Sequence, residues 1–119
     1  MKYLCICILF TGVILPLSTA VKLQDIIGTH MVLQCEKVVP IWGEAAPGES
    51  VQVSFAGQTK QCIAAEDGRW MVLLDPMPPT GEARTMQIVG ENSISIEDVI
   101  VGEVWFCAGQ SNMAFWFKS

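Results

Sequence analysis

Histidine and basic side chains are scarce in this sequence of 119 residues. Its one histidine is His30, and seven lysines and arginines stand against twelve aspartates and glutamates, which gives a formal net charge of −5 at pH 7. Nucleic acids and anionic membrane surfaces are bound through basic patches, so this balance disfavours both kinds of partner. There is no Cys-x-x-Cys pair or cluster of histidines and cysteines. The sequence therefore predicts no metal site and points to no cofactor.

A helical periodicity, an internal repeat and a low-complexity segment are also missing from residues 21–100. Apolar residues alternate with polar ones instead, as at Val51 and Val53, which is typical of a half-buried β-strand. Pro47-Gly48 has the sequence of a type II turn, and Asp67-Gly68 predicts a hairpin connection. The pattern predicts a mainly β fold, with a small antiparallel β-sandwich over residues 21–100.

The first twenty residues have the composition of a secretory signal peptide. Lys2 provides a positive n-region, residues 4–15 form an apolar run, and Ser18-Thr19-Ala20 offers small residues to a signal peptidase. A transmembrane anchor is the alternative, but about twelve apolar residues are short for a bilayer span. We therefore expect residues 1–20 to be removed. The mature chain would then be lysosomal or extracellular, with no membrane attachment after cleavage.

The number of cysteines is to be considered together with this predicted lysosomal or extracellular location. Cys5 and Cys7 would leave with the signal peptide, so Cys35, Cys62 and Cys107 remain. An odd number of cysteines in an oxidising compartment implies a free thiol or a partner outside the chain. Whether Cys35 pairs with Cys62 is left open by the sequence. Cys107 lies within an apolar run and is interpreted as a small buried side chain.

The pattern changes from residue 101 onward. The apolar run at residues 104–107 does not alternate, which is typical of a strand covered on both faces in an α/β sheet. We predict that residues 101–119 are the first strand and following turn of an α/β domain that is otherwise missing. Trp105 and Phe106 would then lack a sheet to cover them, and exposed aromatic clusters promote docking or aggregation.

Ser111 follows this run, at a predicted junction between a strand and a helix. Serine at such a junction is usually an N-cap, whose hydroxyl accepts a hydrogen bond from a backbone N–H. The nucleophile turn of the α/β hydrolases, Gly-x-Ser-x-Gly, is not matched, because Met113 stands at its last position. Spacing alone therefore favours a capping serine.

Several blocks of the sequence resemble the sialate O-acetylesterase family, which are SGNH-type serine esterases acting on acetylated sugars. The most specific block is Gly109-Gln110-Ser111-Asn112-Met113, preceded by Gly102-Glu103-Val104-Trp105, which resembles the nucleophile block of that family. Residues 31–34, 41–43, 47–53 and 70–77 resemble its N-terminal β region. The resemblance covers essentially the whole mature chain, in order.

This resemblance implies removal of O-acetyl groups from sialic acids or other acetylated sugars. Ser111 would attack the acetyl carbonyl and form an acetyl-enzyme that water then hydrolyses. The backbone N–H of Ser111 would also be an oxyanion donor, while Gly109, Gln110 and Asn112 would shape the turn. A serine nucleophile needs a histidine base oriented by a carboxylate, and in this family that pair lies far downstream.

The sequence departs from the family pattern in ways that concern activity. His30 lies in the β region and is interpreted as a turn or surface residue rather than the base. No carboxylate follows Ser111, and Ala108 and Ala114 stand where the family usually has serine and a polar or acidic residue. We therefore expect this chain to be the N-terminal part of a longer esterase and to be inactive alone.

Two other interpretations stay open. The first is a secreted, non-catalytic sandwich that binds glycans or another protein. Trp42 and Trp70 could stack on sugars, although tryptophans in alternating strands more often belong to a core. The second is a truncated isoform without activity.

Overall fold

The computed structural model describes residues 20–109, and all regular structure in that range is β. The eight strands are β1 (Lys22–Leu23), β2 (Val32–Gln34), β3 (Val39–Glu44), β4 (Ser50–Phe55), β5 (Gln58–Ile63), β6 (Arg69–Leu74), β7 (Thr80–Val89) and β8 (Ser93–Gly102). They form a three-stranded sheet of order β1-β3-β6 and a five-stranded sheet of order β2-β8-β7-β4-β5. The predicted mainly β fold is confirmed. Between residues 20 and 109 no helix is long and apolar enough to cross a bilayer.

Strict alternation of side chains builds one core from both sheets. Trp70, Val72 and Leu74 of β6 are buried, whereas the residues between them are exposed. Val51 and Val53 of β4 are fully buried in the same way, and both sets belong to one apolar cluster. Successive side chains of a strand point to opposite faces, so each sheet turns one apolar face inward. Among residues 20–109 no polar or charged residue is buried.

One strand pair departs from the predicted antiparallel arrangement. β2 pairs with β8 in parallel, with Leu33 opposite Val101 and Gln34 opposite Gly102. Every other pair in residues 20–109 is antiparallel. Parallel neighbours require a long crossover, and here that crossover contains β3 to β7. β2 has only three residues, and its sequence pattern does not indicate whether it runs parallel or antiparallel to its neighbour.

The two predicted turns form, but only one joins the strands as expected. Gly48 has a φ of +79°, and Glu49 N–H donates to the Ala46 carbonyl at 3.0 Å, as a type II turn requires. Gly68 has a φ of +81° and donates to the Ala65 carbonyl at 2.9 Å. The strands on either side of it are not a hairpin, because β5 pairs with β4 and β6 pairs with β3. The chain crosses between the sheets at this turn.

Two polar side chains hold the turns at the β1 end of the sandwich. The Glu49 carboxylate accepts hydrogen bonds from Ala46 N–H at 2.9 Å and from Glu91 N–H at 2.6 Å. Asn92 accepts a hydrogen bond from Val21 N–H at 2.7 Å and donates to the Val21 carbonyl at 3.3 Å. Since Val21 is buried, these contacts fix the position at which the chain joins β1.

The three cysteines within residues 20–109 are free thiols. Cys35 is buried and Cys62 is half-buried, and the two are not bonded to each other. Burial raises the pKa of the Cys62 thiol, and a backbone hydrogen bond from Met71 opposes that shift. Cys107 is exposed rather than buried, because no sheet covers the run in which it lies.

Candidate active-site segment

The predicted nucleophile turn begins where the described residues end. Gly109 is the last residue of that range, and it is exposed. Gln110, Ser111 and Asn112 lie outside the described residues, as do residues 1–19 of the predicted signal peptide. The role of Ser111 as nucleophile and oxyanion donor therefore stays a prediction. The segment leading to it is described as far as Gly109.

The predicted strand at residues 104–107 does not form. β8 ends at Gly102, and residues 103–109 have no regular structure. Trp105 and Phe106 are 80% and 93% exposed, as expected for side chains without a covering sheet. A strand persists only where its backbone N–H and C=O groups pair with a neighbouring strand. This segment lies beyond Gly102, the last residue of β8 that is paired with a neighbour. The domain boundary predicted after residue 100 lies two residues before the end of β8, and it stays a prediction.

The start of this segment is held by the end of β2. Val104 N–H donates to Gln34 Oε1 at 2.9 Å, and Cys35 N–H donates to the Gly102 carbonyl at 2.8 Å. Gln34 and Val104 are 70 positions apart in the sequence. Gln34 and Val104 lie in two blocks that resemble the same family. That shared resemblance was the only indication in the sequence that the two blocks are in contact. The role of Gln34 as a positioning residue was not predicted from the sequence.

His30 lies on the surface, as predicted. It has a φ of +68°, and its side chain is 76% exposed. Its Nδ1 lies 2.5 Å from Asp98 Oδ2, and its backbone N–H donates to the Glu97 carbonyl. The same histidine–carboxylate contact orients the base of a serine triad. Here both groups are in contact with solvent, which weakens their attraction, so the contact serves mainly to tie the turn before β2 to β8.

No metal site accompanies this pair within residues 20–109. No group of three or more histidine, cysteine, aspartate or glutamate side chains in that range could hold a metal ion. His30 and Asp98 therefore stand as a pair, and their contact was not predicted from the sequence. Their meeting depends on the irregular backbone of β8, where Asp98 has a φ of +56°.

Two depressions border the tryptophan of β3. A cavity of about 490 Å³ is lined by residues of β3 and β6 and includes both Trp42 and Trp70. An apolar groove of about 230 Å³ runs between β2 and β3 and includes Trp42 and Val104. Trp70 is 4% exposed and belongs to the core, as sequence analysis favoured. Trp42 is half-buried and only packs against the core from outside.

Comparison with known proteins finds relatives that share one described activity. Human sialate O-acetylesterase is 35% identical over 124 residues, an alignment that covers 88% of this chain and 24% of the human protein. The mouse sialate O-acetylesterase is 40% identical over 103 residues, covering 77% of this chain and 19% of the mouse protein. The chain is homologous to the sialate O-acetylesterases.

The fold supports this relation to the sialate O-acetylesterases. The crystal structure of a carbohydrate acetylesterase from Xanthomonas citri matches with a TM-score of 0.74 and 30% identity, covering 79% of this chain and 22% of that chain. No protein-family model matches. The chain spans about a quarter of the length of the human sialate O-acetylesterase, since the alignment covers 24% of it.

Proposed function

We propose that this chain is the N-terminal part of a serine esterase that removes O-acetyl groups from sialic acids or other acetylated sugars. The observation that carries the proposal is its homology to sialate O-acetylesterases over 88% of its length. The Gly109–Met113 block supplies the chemistry, since it has the residues of the nucleophile turn in that family.

The proposed reaction is acetyl transfer through serine. Ser111 Oγ attacks the acetyl carbonyl carbon, and the backbone N–H of Ser111 stabilises the developing oxyanion. Collapse of the tetrahedral intermediate releases the sugar hydroxyl, and water then releases acetate from the acetyl-serine. Both halves need a histidine base and its orienting carboxylate. Because His30 is a surface residue, we assign that pair to sequence beyond the part of the homologues that this chain spans.

We further propose that the protein enters the secretory pathway and loses residues 1–20. Ala20 is exposed whereas Val21 is buried at the start of β1. Cleavage between them would leave an α-amino group beside Asn92 Oδ1, which already accepts from the Val21 nitrogen at 2.7 Å. The folded sandwich therefore accommodates a new N-terminus at this position. Sequencing of the secreted protein should begin at Val21, and retention of residues 1–20 would contradict the proposal.

The esterase proposal is tested in two steps. The chain itself, incubated with 9-O-acetylated sialic acid, should release no acetate above background, because we assign the base to sequence beyond the part of the homologues that it spans. The transcript should continue in frame beyond Ser119 and encode an Asp-x-x-His block. The longer product should hydrolyse the ester, and its Ser111→Ala variant should lose about a thousandfold or more in kcat.

A matched serine variant controls for general effects of substitution. Ser93 lies at the exposed start of β8, and Ser93→Ala should leave hydrolysis unchanged. Hydrolysis by the 119-residue chain that depends on Ser111 would overturn the assignment of the base. Full activity of Ser111→Ala in the longer product would overturn the nucleophile.

A further inference from the structure

The larger depression of the sandwich has the dimensions of a ligand site. Its volume of about 490 Å³ lies within the range of roughly 300–1,000 Å³ that small-molecule pockets occupy. It is lined by residues of β3 and β6, with Gln24 following β1 and Ile63 ending β5. Nothing in the proposed reaction at Ser111 uses this region.

An aromatic platform forms one part of the cavity. Trp42 of β3 lies directly opposite Met71 of β6, and both are on the face of the sheet that points away from the core. Trp42 is half-buried and Met71 is 55% exposed. A tryptophan held in this way presents a large, rigid apolar surface with little conformational entropy to lose on binding. Such a surface suits the C–H face of a sugar ring.

Polar side chains adjoin the platform on the same face. Glu44 and Arg69 are the next cross-strand pair, two residues along each strand from Trp42 and Met71. A carboxylate accepts hydrogen bonds, a guanidinium donates them, and the Gln24 amide does both. Sugar hydroxyls both donate and accept, so they match this mixture. Arg69 is paired with Asp67, with Nε 3.6 Å from Oδ2, so the described residues that line the cavity offer no free positive charge to an anion, which favours an uncharged ligand.

We propose that this cavity binds an uncharged pyranose unit of a glycan, with its apolar face on Trp42 and its hydroxyls toward Glu44 and Arg69. This binding goes beyond the proposed esterase activity and does not depend on it. Lactose, which presents uncharged galactose and glucose rings, is a suitable probe. Titration calorimetry with the 119-residue chain should give a dissociation constant of about 1 mM, as expected for a shallow site with few contacts.

Variants identify the site of binding. Trp42→Ala should weaken lactose binding at least tenfold, and Glu44→Gln, an exposed substitution that leaves the core intact, should weaken it roughly fivefold. Trp105→Ala is the matched control, because Trp105 is an exposed tryptophan outside the cavity. It should bind lactose as the unchanged chain does.

Three results with lactose would overturn the proposal. The first is an absence of binding by the unchanged chain at a lactose concentration 20-fold above the expected dissociation constant. The second is unchanged binding by Glu44→Gln, and the third is an equal loss of affinity in Trp42→Ala and Trp105→Ala. Binding of 3′-sialyllactose without binding of lactose would also overturn it, since the ligand would then be recognised by its charge. None of these results bears on Ser111, whose assay measures acetate release.

Discussion

Gly43 provides the sharpest test of how the sandwich is closed. An added Cβ at this position would lie 2.0 Å from the Lys22 carbonyl oxygen and 3.0 Å from Trp70 Cζ2. The oxygen belongs to the backbone of β1, which pairs with β3 through Lys22 and Leu23. A backbone atom in a paired strand has no rotamer to change, so Gly43→Ala must displace β1.

The cost follows from what β1 contributes. Displacing it exposes Val21, whose burial stabilises the fold by about 1.5–3 kcal/mol. It also breaks the short β1–β3 ladder, at about 0.5–1.5 kcal/mol for each hydrogen bond. The freed residues regain about 1–2 kcal/mol each in backbone entropy. We therefore expect Gly43→Ala to lower the free energy of unfolding by about 1–3 kcal/mol, as overpacked sites do.

Urea denaturation followed by tryptophan fluorescence measures this change. Thermal denaturation should show the midpoint falling by about 4–8 °C for each kcal/mol in a domain of this size. The control is Gly81→Ala in β7, where an added Cβ meets no atom within 4 Å. Because alanine lowers the entropy of the unfolded chain, the Gly81 variant should be unchanged or more stable by up to about 1 kcal/mol. Equal midpoints for Gly43→Ala and the unchanged chain, or equal losses in both variants, would refute the reasoning.

Three further outcomes are expected. Glu49→Ala should lower the free energy of unfolding by about 1–3 kcal/mol, because two backbone N–H groups lose their acceptor, and Glu49→Gln should lower it by about half as much. The midpoints of urea denaturation measure both changes, and an unchanged midpoint for Glu49→Ala would contradict the prediction. Asn92→Ala should cost about 1–2 kcal/mol by releasing Val21, whereas a loss under about 0.3 kcal/mol would show that Asn92 does not hold β1. Cys62 should react with iodoacetamide more slowly than Cys107 at pH 8, because its raised pKa lowers the thiolate fraction, and its rate should keep rising above the usual thiol range near pH 8.5. Mass spectrometry of the alkylated peptides measures both rates, and equal rates would show that burial does not protect Cys62.

Local features were predictable from the residues alone. The alternation at Val51 and Val53 predicted a strand with one buried face, because side chains of a strand alternate with a period of two. Pro47-Gly48 predicted a turn, because only glycine adopts the required positive φ without strain. The surface position of His30 was predicted from its place in the β region, and the exposure of Trp105 was predicted because no sheet was expected to cover it.

Which strands pair with each other was not predictable in the same way. Asp67-Gly68 reverses the chain, but which strand β6 then joins depends on which apolar face remains to be covered. β2 is three residues long, and its parallel pairing with β8 is decided by contacts made across the rest of the fold. The strand predicted at residues 104–107 failed for the complementary reason: apolar composition favours a strand, but a strand requires a neighbour.

The acetylesterase relation was predicted from resemblance, since the Gly109–Met113 block and the earlier blocks match that family in order, whereas spacing alone favoured a capping serine. The hydrogen bond from Val104 to Gln34 and the cavity beside Trp42 arise differently. Each joins residues that are distant along the chain and are brought together by strand register. Short-range patterns determine which residues can form a strand or a turn. Only the packing of two sheets, in which each apolar face must be covered, determines which of those residues meet.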